Sequence, residues 1–167
     1  MAEQIADALA GIPSHWIACC LAMLPILELR GSIPWAILAG GMNWQDAFLW
    51  SIIGNFIPVI PILLLLEPVA NLLRRWPIFD RFFEWLFART RRKGKIVERY
   101  EALGLILFVG IPLPGTGAWT GALAAFVFGV RFRLALPAIT LGIMIAGTIV
   151  TSAVLGGSSA VRAIFGL

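Results

Sequence analysis

Between Glu101 and Arg131, and again between Arg133 and Arg162, the chain carries no charged side chain. Uncharged apolar runs of that length match what a helix needs to cross a hydrocarbon core of about 30 Å at about 1.5 Å per residue. Water cannot be their only solvent. The chain has 167 residues, 60% hydrophobic and 13% charged, with a mean hydropathy of +0.92. A domain of this size has too much surface for its volume to hide so much apolar area in a soluble core. The sequence therefore predicts an all-α integral membrane protein. Two cysteines exclude a disulfide scaffold, and seven Trp with eleven Phe at low charge exclude a disordered tail.

The net charge of +4 is unevenly placed. Nine of the thirteen basic residues lie between Arg74 and Arg99, and the others are Arg30, Arg131, Arg133 and Arg162. A basic block beside apolar segments reads as a cytoplasmic loop on anionic headgroups rather than as a nucleic-acid surface. The beginning of the chain does not read as a cleaved signal, since Glu3 and Asp7 stand where a positive region is expected and no basic residue precedes Arg30.

Proline and glycine divide the apolar runs. Residues 14–27 are too short to cross before Glu28, and residues 29–42 are interrupted by Arg30, Gly31, Pro34, Gly40 and Gly41. Together, residues 14–42 read as a re-entrant hairpin with its tip at residues 28–34. Residues 44–67 read as the first crossing, kinked by Pro58 and Pro61. Residues 70–99 form a basic cytoplasmic segment, in which Ile78, Phe79, Phe82, Phe83, Leu86 and Phe87 recur at the spacing of an interfacial amphipathic helix. Residues 102–128 read as a second re-entrant hairpin, broken by the Pro- and Gly-rich run 111–117, and residues 132–157 as the second crossing.

The halves resemble each other. Adding 84 carries Leu29, Gly31, Ser32 and Trp35 onto Leu113, Gly115, Thr116 and Trp119. Adding 88 carries Gly41, Trp44, Ala47, Gly54 and Ile57 onto Gly129, Phe132, Ala135, Gly142 and Ile145. The turn at 41–46 has no basic residue, whereas the turn at 129–134 has Arg131 and Arg133, so the positive-inside rule puts these turns on opposite faces. The expected fold is two inverted repeats, each a re-entrant hairpin plus one transmembrane helix, joined by the amphipathic segment.

Inverted repeats with broken helices bring their tips together near the midplane, which makes the tips the candidate site. Ser32 and Thr116 are expected to cap the two helices that start there, so that two positive dipole ends and Arg30 face an anion. The expected substrate-binding residues are Arg30, Gly31, Ser32, Asn55, Pro112, Pro114, Gly115, Thr116 and Gly117. Glu28, a titratable carboxylate inside an apolar segment, is the expected proton-coupling residue.

Plainer roles exist for the same residues. Glu28 and Arg30 can neutralise each other as a buried pair, Gly115, Gly117 and Gly121 can serve close packing, and Asn55 can bond between helices. Cys19 and Cys20 read as filler, and His15 as an interfacial residue. With one His, no phosphate-binding glycine loop and no ligand cluster, neither an enzyme nor a metal or other cofactor is expected.

Glu28-Leu29-Arg30-Gly31-Ser32-Ile33-Pro34, Gly54-Asn55 and the run from Gly110 through Pro112, Pro114, Gly115, Thr116 and Gly117 to Gly121 together resemble the signature of the small multidrug export protein family, related to DedA-like membrane proteins. The resemblance covers residues 24–157. It implies a bacterial or archaeal cell membrane, opposed re-entrant hairpins and transport without a cofactor. The DedA-like relatives imply movement of lipid phosphates, especially undecaprenyl phosphate, with proton coupling. On that resemblance Glu28 and Arg30 are the functional pair and Pro112, Pro114, Gly115, Thr116 and Gly117 the facing loop. Three functions follow: transport of an anionic lipid phosphate, which Arg30 and the dipole ends favour; proton-driven export of lipophilic cations; and a non-transport membrane scaffold. Expected partners are membrane lipids and a lipid phosphate or small amphipathic substrate, with a homodimer left open.

The charge distribution yields a topology test. Reporters fused at Lys93 should be cytoplasmic, and reporters at Asn43 and at the C-terminus external, because two crossings return the chain to its starting side. An external Lys93 reverses the orientation, and opposite locations for Asn43 and the C-terminus turn one hairpin into a full span.

Overall fold

The structure, a computed structural model, describes residues 12–73, 75 and 97–157. The amphipathic run at 78–87, the basic run at 89–95 and both chain ends lie outside the described residues. Within them the chain is all-helical: α1 (Ser14–Met23), α2 (Glu28–Leu38), α3 (Trp44–Phe56), α4 (Val59–Leu73), α5 (Val97–Gly110), α6 (Ala118–Phe128) and α7 (Phe132–Gly156). Two stretches are long and apolar enough to cross a membrane, Trp44–Leu66 and Phe132–Gly156. The first runs from α3 into α4 through a break at Ile57-Pro58. Helices α1, α2 and α6, of 10, 11 and 11 residues, are each about 15–17 Å long and cover only about half of a hydrocarbon core.

The chain divides into two compact units, one formed by the described residues up to Ile57 together with those from Met144 onward, the other by those between Pro58 and Ile143. In the first, α1, α2 and α3 pack on one another. Asn43 starts α3: its side-chain oxygen accepts the Asp46 N–H at 2.8 Å while its amide donates to the Asp46 carboxylate at 2.6 Å. The buried positions include many small side chains, among them Ala18, Cys19 and Ala22 on α1, Ser32 and Ala36 on α2, and Ala47, Ser51 and Gly54 on α3, beside the larger Leu29 and Ile33 of α2. Small residues let helix backbones approach closely where lipid supplies no hydrophobic drive. The approach is closest at Gly54, where an added Cβ would fall on the Cys19 carbonyl. Further along the same pair of helices His15 stacks on Trp50, with ring centroids 4.8 Å apart, and the constant spacing in sequence shows that α1 and α3 run parallel.

A hydroxyl pair fixes the register. Ser32 Oγ donates to the Ala18 carbonyl at 2.6 Å, which leaves the Ser51 hydroxyl to donate to Ser32 Oγ, also at 2.6 Å. All three helices are thereby tied together inside the unit. From α7, Gly147 faces Phe48 and Ile52, whose side chains lie 2.9 and 2.7 Å from where its Cβ would be.

In the second unit α6 packs on α4 and on α5. Val109, at the end of α5, takes the space left by two glycines, since a Cβ on Gly121 or on Gly142 would run into it. Helix α6 stops at Gly129, whose φ of 70° suits glycine, with Val130 N–H bonded to the Ala125 carbonyl at 2.8 Å. Large side chains are left outside: Ile26, Leu38, Leu64, Leu65 and Leu155 are all exposed. With many small residues among the buried ones and so many large apolar side chains exposed, the packing suits a lipid solvent rather than water.

Three expectations need correction. The first turn is at residues 24–27, not 28–34: Pro25 lies in it, Glu28 opens α2, and Pro34 sits inside that helix. Ser32 is therefore no cap, and the residue preceding α2 is Leu27. The shift of 84 also fails as local structure, since Leu29, Gly31 and Ser32 are helical whereas Leu113, Gly115 and Thr116 lie in the loop before α6. Identities in so biased a composition carried no information about where each helix starts.

Gly54→Val should lower the stability of the purified protein by about 1–3 kcal/mol or abolish folding, because backbone rather than a mobile side chain stands in the way. Gly104→Ala, at an open helical position, should be neutral or slightly stabilising. Thermal unfolding in detergent of the two variants beside the parent checks both.

Candidate functional site

The first tip is built on the start of α2. Glu28, the first residue of that helix, is only 5% exposed and holds a φ of 44°. A left-handed backbone at a non-glycine costs about 1–3 kcal/mol and persists only where the surroundings impose it. Here the imposed geometry is the passage from the turn at 24–27 into α2, with Glu28 N–H on the Leu24 carbonyl at 3.0 Å and Gly31 N–H on the Leu27 carbonyl at 2.9 Å. The carboxylate thereby sits at the positive end of the α2 dipole, the end that stabilises a negative charge.

Arg30 is half-buried on the same turn. Side chains two apart on a helix point about 200° away from each other and do not face one another, so the backbone directs Glu28 inward and Arg30 to another side. Gly31 gives room to the Leu27 side chain, whose Cβ lies 2.8 Å from where a Gly31 Cβ would be. Ser32 is fully buried and spends its hydroxyl hydrogen on Ala18, so it joins helices rather than offering a donor to a ligand.

Asn55 is 2% exposed, and its side-chain oxygen has no hydrogen-bond partner among the described residues. A buried unsatisfied amide oxygen costs about 1–3 kcal/mol. The register relates it to Glu28. Helices α2 and α3 are joined by the short connection 39–43 and meet at Ser32 and Ser51, so they run antiparallel. One turn in one direction gives Ala36 and Ala47, both buried in one core cluster. One turn in the other gives Glu28 and Asn55. Close by, Pro58 and Pro61 have no N–H to offer the carbonyls of Gly54 and Ile57. The end of this three-helix unit is thus rich in acceptors: a carboxylate, an amide oxygen and main-chain carbonyls.

The second tip is the loop 111–117 between α5 and α6. Leu113, Pro114, Gly115 and Thr116 form a type II turn, with Pro114 at its second position, Gly115 at φ 84°, and Thr116 N–H on the Leu113 carbonyl at 3.1 Å. The Thr116 hydroxyl closes the loop: it lies 2.7 Å from the Ile111 carbonyl and 2.9 Å from that of Leu113, and accepts the Leu113 N–H at 3.0 Å. Thr116 thus staples the loop instead of capping α6. The capping position is Gly117, which has no side chain to bond, and the first turn of α6 has no acidic residue. Its first-turn N–H groups lack partners within the helix. Pro112 and Pro114 keep the loop out of helix.

Glu28, Arg30, Gly31, Ser32 and Asn55 therefore belong to the first unit, and Pro112, Pro114, Gly115, Thr116 and Gly117 to the second. Sequence reasoning missed Ser51 and the helix register that sets Glu28 opposite Asn55. The signal was present, because the buried positions 47, 51 and 55 on α3 mirror 36, 32 and 28 on α2. Among the described residues no group of three or more His, Cys, Asp or Glu side chains could hold a metal ion.

A family model described as "Putative small multi-drug export protein" matches residues 28–149. The match begins at Glu28 and takes in both tips. No curated protein and no solved structure matches the chain.

Thr116→Val keeps shape but removes the hydroxyl that accepts the Leu113 N–H and shares its one hydrogen between two carbonyls, and should cost about 1–3 kcal/mol, whereas Thr116→Ser should stay close to the parent. Hydrogen exchange of residues 111–117, read beside thermal unfolding, should show the loss in the Val variant alone.

Proposed function

The chain belongs to the family of putative small multi-drug export proteins, and from that membership we propose that it is a secondary membrane transporter exporting small lipophilic cations in exchange for protons, with Glu28 as the exchange site. The observation that carries this reading is the buried carboxylate of Glu28 at the start of a half-length helix, in register with an unsatisfied buried amide oxygen on α3. Ionisable side chains inside apolar segments mark ion and substrate paths. Acceptors grouped in a low-dielectric place attract a cation or a proton, and one carboxylate can hold either but not both. Arg30, directed elsewhere on the helix, need not cancel it. Helix α2 offers no vacant anion site, because Glu28 already answers its dipole.

The half-length helices fit the reading of α1–α2 and α5–α6 as re-entrant hairpins, in two inverted repeats, in a bacterial or archaeal cell membrane with the basic segment 70–99 cytoplasmic. On this reading the protein uses no resident cofactor and catalyses no covalent step. A second reading, transport of an anionic lipid phosphate such as undecaprenyl phosphate, draws on Arg30 and on the positive dipole end of α6, whose first turn contains no acidic residue. The scaffold reading rests on the amphipathic run at 78–87, outside the described residues.

Proteoliposomes with an imposed pH gradient separate the first two. Efflux of a fluorescent lipophilic cation should follow the gradient in the parent, fall to the level of protein-free vesicles in Glu28→Gln, and survive in part in Glu28→Asp. A Glu28→Gln protein that responds like the parent removes Glu28 as the exchange site. Gradient-independent cation leakage, together with flipping of a labelled lipid phosphate that Arg30→Lys weakens, moves the assignment to the second reading.

A further inference from the structure

The unsatisfied oxygen of Asn55 has a partner one helix away in only one protonation state. An ionised Glu28 has nothing to donate, and carboxylate and amide oxygens repel. A neutral Glu28 has an O–H. We propose that Glu28 and Asn55 form a proton-binding site in which the protonated carboxyl donates to Asn55 Oδ1. This deepens the exchange reading above and rests on it for its biological meaning.

Three features support the pairing. Both residues are nine-tenths or more buried, so solvent cannot readily complete the Asn55 oxygen. Both lie one turn beyond the Ser32–Ser51 bond on antiparallel helices, and the preceding step of the same interface, Ala36 with Ala47, is buried as well. Ala22 of α1, fully buried and one turn past Ala18, closes the third side with a methyl group that can neither donate nor accept. The residue type also matters. An amide can turn its oxygen toward a neutral carboxyl and its NH2 toward an ionised one, so Asn55 can follow Glu28 through both states, which leucine or aspartate could not.

The other ionisable groups on the packed elements are few. On α1 they are His15, Cys19 and Cys20, and on α3 Asp46. His15 and Asp46 lie at the opposite end of the unit, and the Cys19 contact with α3 at Gly54 is through its backbone carbonyl. Arg30 is the remaining charge on α2, and residues 144–156 of α7 contain none.

Infrared difference spectroscopy of the purified full chain in lipid nanodiscs reads the bond directly. The carboxylic-acid C=O band of Glu28 is the one that disappears in Glu28→Gln. Asn55→Leu, which keeps size and removes the acceptor, should move that band to higher wavenumber, and Asn55→Ser, which keeps an acceptor, should leave it near its parent position. Should Asn55→Leu fail to fold, the parent with 13C-labelled asparagine side chains serves instead: its Asn55 carbonyl band, identified by its loss in Asn55→Ser, should shift with pH, and should not in Glu28→Gln. A Glu28 band unmoved in folded Asn55→Leu, or an Asn55 band indifferent to pH, overturns the site. If the band moves as expected while Glu28→Gln retains coupled efflux, the proton site stands and the transport reading falls. If Glu28→Gln loses coupling while the band ignores Asn55, the transport reading stands and this site falls.

Discussion

The close approach of α1 and α3 at Gly54 is the constraint on which the first unit depends. It brings the Cys19 carbonyl to where a side chain would otherwise stand, and it sets the depth at which α2 is received between the other two helices. Where the backbones are this near, small side chains line the interface, among them Ser32, Ser51, Ala18, Ala36 and Ala47. The two serines then supply direction. Lipid tails compete with van der Waals contacts but cannot replace a hydrogen bond. Alanine contact alone would leave rotation and sliding of the helices weakly specified.

The second unit reaches close packing with the roles reversed. There a branched side chain, Val109, stands in the space that Gly121 and Gly142 leave, whereas in the first unit a backbone carbonyl stands in the space left by Gly54. Both devices let a neighbour approach where a side chain would otherwise stand. In both units many bulky side chains, such as Ile26 and Leu38 in the first and Leu64 and Leu65 in the second, are left exposed for lipid to solvate, while Leu29, Ile33, Ile139 and Ile143 stay buried.

The long apolar helices were legible because their signal, an absence of charge over more than 18 residues, does not depend on partners. The interruption at 111–117 was legible for a similar reason: two prolines and two glycines disfavour helix in any surroundings. The start of α2 was not. Pro34 looked like a break but is accommodated inside the helix, and Glu28 enters in a left-handed conformation that no propensity favours. Ser32 was legible as a residue of note but not in its job, since its partners Ala18 and Ser51 are 14 and 19 residues away. Asn55 was ambiguous in sequence for the same reason, and only the helix register shows which acidic residue it accompanies. The amphipathic run at 78–87, the clearest periodic signal in the chain, falls outside the described residues.

The Thr116 staple changes how the loop 111–117 relates to its solvent. Irregular backbone is normally kept from hydrocarbon because its carbonyls and N–H groups have only water to turn to. Here one hydroxyl takes over part of what water would do, accepting an N–H and sharing its single hydrogen between two carbonyls of the loop, while Ile111 and Leu113 remain exposed as apolar covering. A segment that carries its own hydration in this way has less to lose on leaving water. Its free energy changes less steeply with depth than that of an open loop, so the depth at which it rests is set by how its apolar covering partitions and by the two helices that hold it.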